Sequence, residues 1–191
     1  MPEPRYLTRA DAEALAQKVL SFSTADEARV NLNSGSEGNT RFAVNQVSTS
    51  GDAYDANVTV TSAFGKKVAS ATTNRFDDES LRQVVQTSER LARLVPEDPE
   101  YLGELPPQEY LPVEPFFENT ANITPEQRAR AVMEVAGPAQ RQSLISTGFL
   151  THFTGSQTVA NKKGLFAYAR GTGISFTTTV RTPDGTGSGW A

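Results

Sequence analysis

One histidine, no cysteine and 22 carboxylates are the raw material for chemistry in this chain of 191 residues. His152 stands in "FLTHFTG". A catalytic histidine needs a nucleophile it can activate, and a zinc site needs further nitrogen or sulfur ligands, which this inventory cannot assemble alone. His152 is therefore read as a polar residue on the face or edge of a strand. The acidic run Asp77-Asp78-Glu79 precedes an apolar helical stripe, where carboxylates offset the positive end of the helix dipole. No pair of the carboxylates has the spacing of an acid and base on a known scaffold. The glycine-rich "DGTGSG" at 184–189 invites a phosphate-loop reading, but such a loop opens a helix and is followed by Lys and Ser or Thr. Neither follows, so it is read as a turn or a connection between domains. Lys66-Lys67 and Lys162-Lys163 are read as solvated hairpin ends.

The elements that must position these residues belong to an ordinary globular chain. It is 37% hydrophobic and 21% charged, with a net charge of −4 and a pI near 5.1. That balance argues against a basic footprint for nucleic acid. No apolar run reaches the roughly 18 residues of a membrane span. The N-terminal "MPEPRYLTRADAEAL" lacks the pattern of a secretory signal, so a cytoplasmic setting is expected. The length suits one domain over 1–191.

Thr8 and Asp11 predict a helix over 9–22 with Ala12, Leu15, Val19 and Phe22 inward. The segments "EARVNLN", "TRFAVNQVSTS", "DANVTVTSA" and "KKVASATTN" alternate as half-buried strands, with "SGSEGN", "SGDAY" and "FGKK" as their turns. A second helix follows in "DDESLRQVVQTSERLARLV", with Leu81, Val84, Val85, Ser88, Leu91 and Val95 on one stripe. From Pro96 to Phe117 six prolines predict an extended crossing, continuing to 123 and packed by Tyr101, Tyr110, Phe116 and Phe117. Thr124, Pro125 and Gln127 open a third helix. Its inward side is read as Ala129, Val132, Val135, Ala136 and Ala139, with an interruption expected at Gly137-Pro138. Strands then return through "SLISTGFLTHF", "SQTVANKKGLFAYARG" and "GISFTTTVRT". The fold class is α+β: antiparallel meanders packed against about three helices.

"GNTRFAVNQ" at 38–46 and the stretch from Thr147 to Ala191, in this order of helix and meander, resemble the N-terminal part of the TldD/PmbA family. The most specific element is "VANKKGLFAYARGT" leading into "VRTPDGTGSGWA", a variant of the family's Asn-x-x-Gly-Leu followed by a Thr-containing strand. Arg41, Asn45, Asn161, Gly164 and Thr172 are the family-like positions, with no role assigned. The resemblance implies a cytoplasmic zinc metallopeptidase, or its non-catalytic partner, that dimerises with itself or a paralogue and trims unfolded peptides. Such proteins were earlier named for an effect on DNA gyrase. The family's His-Glu-x-x-x-His zinc motif lies in a C-terminal domain and occurs nowhere in this sequence, so no catalytic or metal-binding residue carries over. "SAFGKKVASATTNRF" departs from the Gly-x-Gly-x-Arg-like strand of many members. "DGTGSGWA" falls where the family passes to its catalytic domain, which places the expected chemistry beyond Ala191.

Overall fold

A computed structural model describes residues 6–111, 113 and 115–191. The elements run α1 (Arg9–Ser21), β1 (Glu27–Ala43), β2 (Gln46–Phe64), β3 (Lys67–Thr73), α2 (Asp78–Leu94), α3 (Glu118–Ala121), α4 (Pro125–Arg141), β4 (Ile145–Asn161), β5 (Phe166–Arg181) and β6 (Ser188–Trp190). The strands form one open sheet in the order β3-β2-β1-β4-β5-β6, so each helix-led half contributes a meander. The α+β class holds, with the four-residue α3 added inside the end of the predicted crossing.

The chain divides into two compact units, and β1, β2, β4 and β5 contribute to both. The first holds α1, α2, β3, β1 up to Gly35, β2 from Asp55, β4 from Gly155 and β5 up to Arg170. Its core is aliphatic: Ala16, Val19, Val30, Leu32, Val58, Val60, Leu81 and Val85 are almost completely buried. Each Val or Leu withdrawn from water in this way contributes about 1.5–3 kcal/mol. Thr8 caps α1 by accepting from the Asp11 amide, and Asp77 caps α2 by accepting from the Ser80 amide at 2.9 Å. The inward stripe of α2 is Leu81, Val84, Val85, Ser88 and Ala92, whereas the predicted Leu91 is exposed.

The second unit holds α3, α4, β6 and the remaining parts of the four long strands. Its apolar core is small: Phe42, Val132 and Leu150 are buried, and Phe176 stacks on Phe42 with centroids 5.8 Å apart. The capping box of Thr124 and Gln127 forms as predicted. The inward stripe of α4 is Arg128, Val132, Ala136 and Ala139, so a cation takes the place given to Ala129. Pro138 does not interrupt α4, which runs on to Arg141. Both Pro138 and Glu134, whose carbonyl loses its helical donor, lie on the exposed side, where water can satisfy that oxygen.

The largest departure from the sequence reading is in the first hairpin. "SGSEGN" and "SGDAY" are strand, not turn: β1 and β2 run unbroken through them. The true turn lies at Val44 and Asn45, inside the segment read as strand, with φ values of 50° and 63°. Two successive left-handed residues match the twist of paired strands, which is why such two-residue hairpin loops are favoured. Asn45 suits this conformation and Val44 does not. Asn45 secures it by donating to the Leu144 carbonyl at 2.8 Å and accepting from the Ser146 amide at 2.7 Å. The β2–β3 turn at "FGKK" stands where predicted, with Gly65 at φ 57°.

Candidate functional site

Arg128 is the most unusual side chain in the second unit. Its side chain has no exposure, and its guanidinium meets Asp52 Oδ1 at 2.9 Å. Nε donates to Thr40 Oγ1 at 3.3 Å, and Nη2 donates to the Gly51 carbonyl at 3.4 Å and to Ser50 Oγ at 3.5 Å. Nη1 lies 3.4 Å from His152 Nδ1. A guanidinium can only donate, so Nδ1 is the acceptor of that contact. Gly38 makes room for the group: a Cβ there would lie 2.3 Å from Arg128 Nη1 and from His152 Cε1. His152 is thus a buried residue of β4. The cluster directs its donors to groups of the same unit and ties α4 to three strands, which is structural work.

The five family-like positions do not converge. Arg41 lies over the Phe149 ring at 4.9 Å, and Asn45 holds the first hairpin. Asn161 shapes the β4–β5 turn by accepting from the amides of Lys163 and Leu165, and its Nδ2 donates to the Leu105 carbonyl of the crossing. Gly164 supplies the left-handed residue of that turn at φ 91°. Thr172 pins the other end of the crossing: its amide donates to the Pro115 carbonyl and its hydroxyl accepts from the Phe117 amide. They act as fasteners of turns and of the crossing, not as one site.

Lys162 and Lys163 are exposed at the end of the β4–β5 hairpin, as predicted, and are fasteners as well. Lys162 Nζ donates to the Ala25 carbonyl at 2.7 Å, and Lys163 Nζ pairs with Glu27 Oε1 at 2.5 Å. Glu27 also accepts from the Tyr101 hydroxyl and the Glu104 amide. The Lys163 hydrogen bond, with these further donors, holds the Glu27 carboxyl below its ordinary value; burial and Glu27 push the Tyr101 hydroxyl well up. Tyr101 therefore packs the crossing as predicted, while Tyr110 and Phe117 are exposed. "DGTG" at 184–187 lies in the loop of the β5–β6 hairpin and Ser188 and Gly189 begin β6, with Asp184 Oδ1 accepting from Thr182, Thr186 and the Thr186 amide.

A concave surface occurs in the first unit, where β3 runs beside the first turns of α2. This groove of about 240 Å³ is lined by Thr72, Thr73 and Arg75 from one side and Ser80, Gln83 and Thr87 from the other. Its walls carry four hydroxyls and an amide beside the apolar Ala71 and Val84, and Arg75 pairs with Asp77 at 3.4 Å. Sequence reasoning missed both the groove and the Arg128 cluster. The available signal for the latter was a cation four residues before Val132 on the apolar stripe of a helix.

Among the described residues no group of three His, Cys, Asp or Glu side chains is placed to hold a metal ion. Residues 28–92 match the family model described as PmbA/TldA metallopeptidase domain 1. No match is found among curated proteins. Among solved structures, TldE from Thermococcus kodakarensis is similar over 93% of this chain and 40% of its own, with 14% identity and a TM-score of 0.78. A Bacteroides thetaiotaomicron protein named "putative modulator of DNA gyrase" is similar over 96% of this chain and 44% of its own, with 14% identity and a TM-score of 0.81. A Thermotoga maritima protein of the same name gives 14% identity and a TM-score of 0.75 over 94% and 41%. The chain thus spans about two fifths of the length of these structures, whose fold it shares. The stretch from β1 to α2 thus matches the first domain of that family, and the chain as a whole shares the fold of these structures.

Proposed function

We propose that this chain is a non-catalytic domain of a cytoplasmic TldD/PmbA-type zinc metallopeptidase, which helps to form a dimer and the approach for unfolded peptide substrates. The observation that carries the reading is the family match over 28–92, joined to the burial of the one histidine against Arg128. Zinc and hydrolysis belong, on this reading, to a further domain with which this one works. The domain's contribution is binding: the hydroxyl-lined groove of the first unit suits a main chain better than any particular side chain. The 191-residue chain should carry no zinc and cleave no peptide, yet bind an unfolded, fluorescein-labelled peptide in an anisotropy titration. No binding, or peptidase activity that copurifies with the chain, would overturn the assignment.

A second reading, an assembly module that touches no substrate, is favoured by one observation. Leu102, Leu105, Leu111 and Val113 of the crossing are 96%, 62%, 87% and 67% exposed. Apolar residues in such a series mark surfaces that are covered in an assembly. Sedimentation of the chain alone and mixed with a paralogue separates the readings. Tight association without peptide binding would favour the assembly role.

A further inference from the structure

Resting on the peptide-binding reading above, we propose where the peptide docks: as an added strand on the free edge of β3, in the groove walled by α2. β3 ends the sheet order, so one side of it has no strand neighbour. Its register with β2 is one-to-one from Phe64↔Lys67 to Val58↔Thr73, with Gly65 and Lys66 as the two-residue loop. The pair closing such a loop exchanges both hydrogen bonds, and alternate pairs follow suit. Lys67, Ala69, Ala71 and Thr73 therefore bond to β2, while the amides and carbonyls of Val68, Ser70 and Thr72 point away from it. The side chains agree: Thr61 with Ser70 and Thr59 with Thr72 are hydroxyl pairs at 2.8 Å, in the close positions between ladder bonds.

An edge of this kind is ordinarily blunted by a charge, a proline or a bulge. Val68 to Thr73 contains no charge and no proline, and its register shows no bulge. Beside the end of this edge, at Ala71 to Thr73, Ser80, Gln83, Val84 and Thr87 recur at the spacing of one helix face, so α2 walls the groove there. Strand addition beside a helix takes its affinity from main-chain hydrogen bonds and its selectivity from the side-chain pockets. The 240 Å³ here is smaller than the roughly 300–1,000 Å³ of small-molecule sites. It suits a short run of extended backbone with small or polar side chains. Thus the occupant is an unfolded peptide held by its backbone, without a sequence motif.

The test uses a short, unstructured, fluorescein-labelled peptide of Ser, Ala and Leu, and two variants of the whole chain. Thr72→Pro removes an outward amide and spares the ladder to β2, a position where an edge strand tolerates proline. Gln83→Trp fills the groove from the exposed face of α2. Each should weaken binding about tenfold or more, the equivalent of about 1.4 kcal/mol, with the thermal melt near that of the parent chain. In the parent chain, saturating peptide should slow hydrogen exchange at the Ser70 and Thr72 amides. Parent-level affinity in both variants, or protection confined to other strands, overturns the groove and leaves the peptide-binding function standing. Absence of binding in the parent chain removes both.

Discussion

β1 serves both units with one unbroken alternation, yet it buries different chemistry at its two ends. In the first unit its inward residues are Ala28, Val30, Leu32 and, at the boundary, Ser34; in the second they are Ser36, Gly38, Thr40 and Phe42. Val30 and Leu32 pack as oil does, by volume. Apart from Phe42 the second set is small, and at Gly38 a guanidinium, an imidazole and a carboxylate fill the space in front of it. The two ends show that period two reports only which residues face inward. What they face decides whether those residues are large.

The widest effect of that difference should appear on substitution at the centre of each core. Arg128→Lys should cost about 3–5 kcal/mol, because an ammonium cannot serve Asp52, Thr40 and His152 together and the buried Thr40 and His152 lose a donor. Leu32→Met in the first unit should cost under about 1.5 kcal/mol, since aliphatic cores accept swaps that conserve volume. Urea unfolding, followed by hydrogen exchange at amides of each unit, measures both losses. Equal costs at the two positions would break the comparison.

The same contrast explains what was legible. α1, α2 and α4 were readable because their caps, Thr8, Asp77 and Thr124, stand at the right distance before apolar stripes. The second half of β1 was not, because Ser, Gly, Asn and Thr are also the residues of turns. Their meaning as an inward face depends on Arg128, almost 90 positions away from Thr40 along the chain. The real turn was hidden for the opposite reason: a β-branched Val44 reads as strand. Of the site, the family-like residues were visible as a motif, but their roles as fasteners required knowing where the crossing runs. The groove has no local signature, because it needs a sheet edge and a helix face that only the topology brings together.

A smaller effect is the response of the first unit to pH. Burial of Glu89 opposes its ionisation, but donors from Thr24, the Ser23 hydroxyl and the Ala25 amide outweigh it and hold the carboxyl below its ordinary 4.5. Glu27, also in the first unit, is lowered by Lys163. A carboxyl whose folded value is lowered contributes stability that is complete above the unfolded value and lost as pH falls through the folded one. The first unit should therefore weaken on acidification below about pH 4.5, the unfolded value of both groups. Glu89→Gln should cost about 1.5–3 kcal/mol at neutral pH, the range for hydrogen bonds to a charged group. It should also flatten the acid limb of a plot of stability against pH. An unchanged acid limb in that variant would assign the sensitivity elsewhere.

The smallest expected effect tests the turn of the second unit, and its sign is opposite. Val44 is 67% exposed and holds φ at 50°, so it gives up almost no burial in return for a conformation that its branched Cβ resists. Asn45, bonded to Leu144 and Ser146, holds the loop in place from the next position. Val44→Gly removes the clash but adds freedom to the unfolded chain, whereas Val44→Asn removes most of it without that entropic cost. Val44→Asn should therefore stabilise the protein by about 0.5–1 kcal/mol, and Val44→Gly by less. Both should raise the urea midpoint with an unchanged slope. A loss of stability in both variants would mean that the Val44 side chain contributes packing that outweighs its strain.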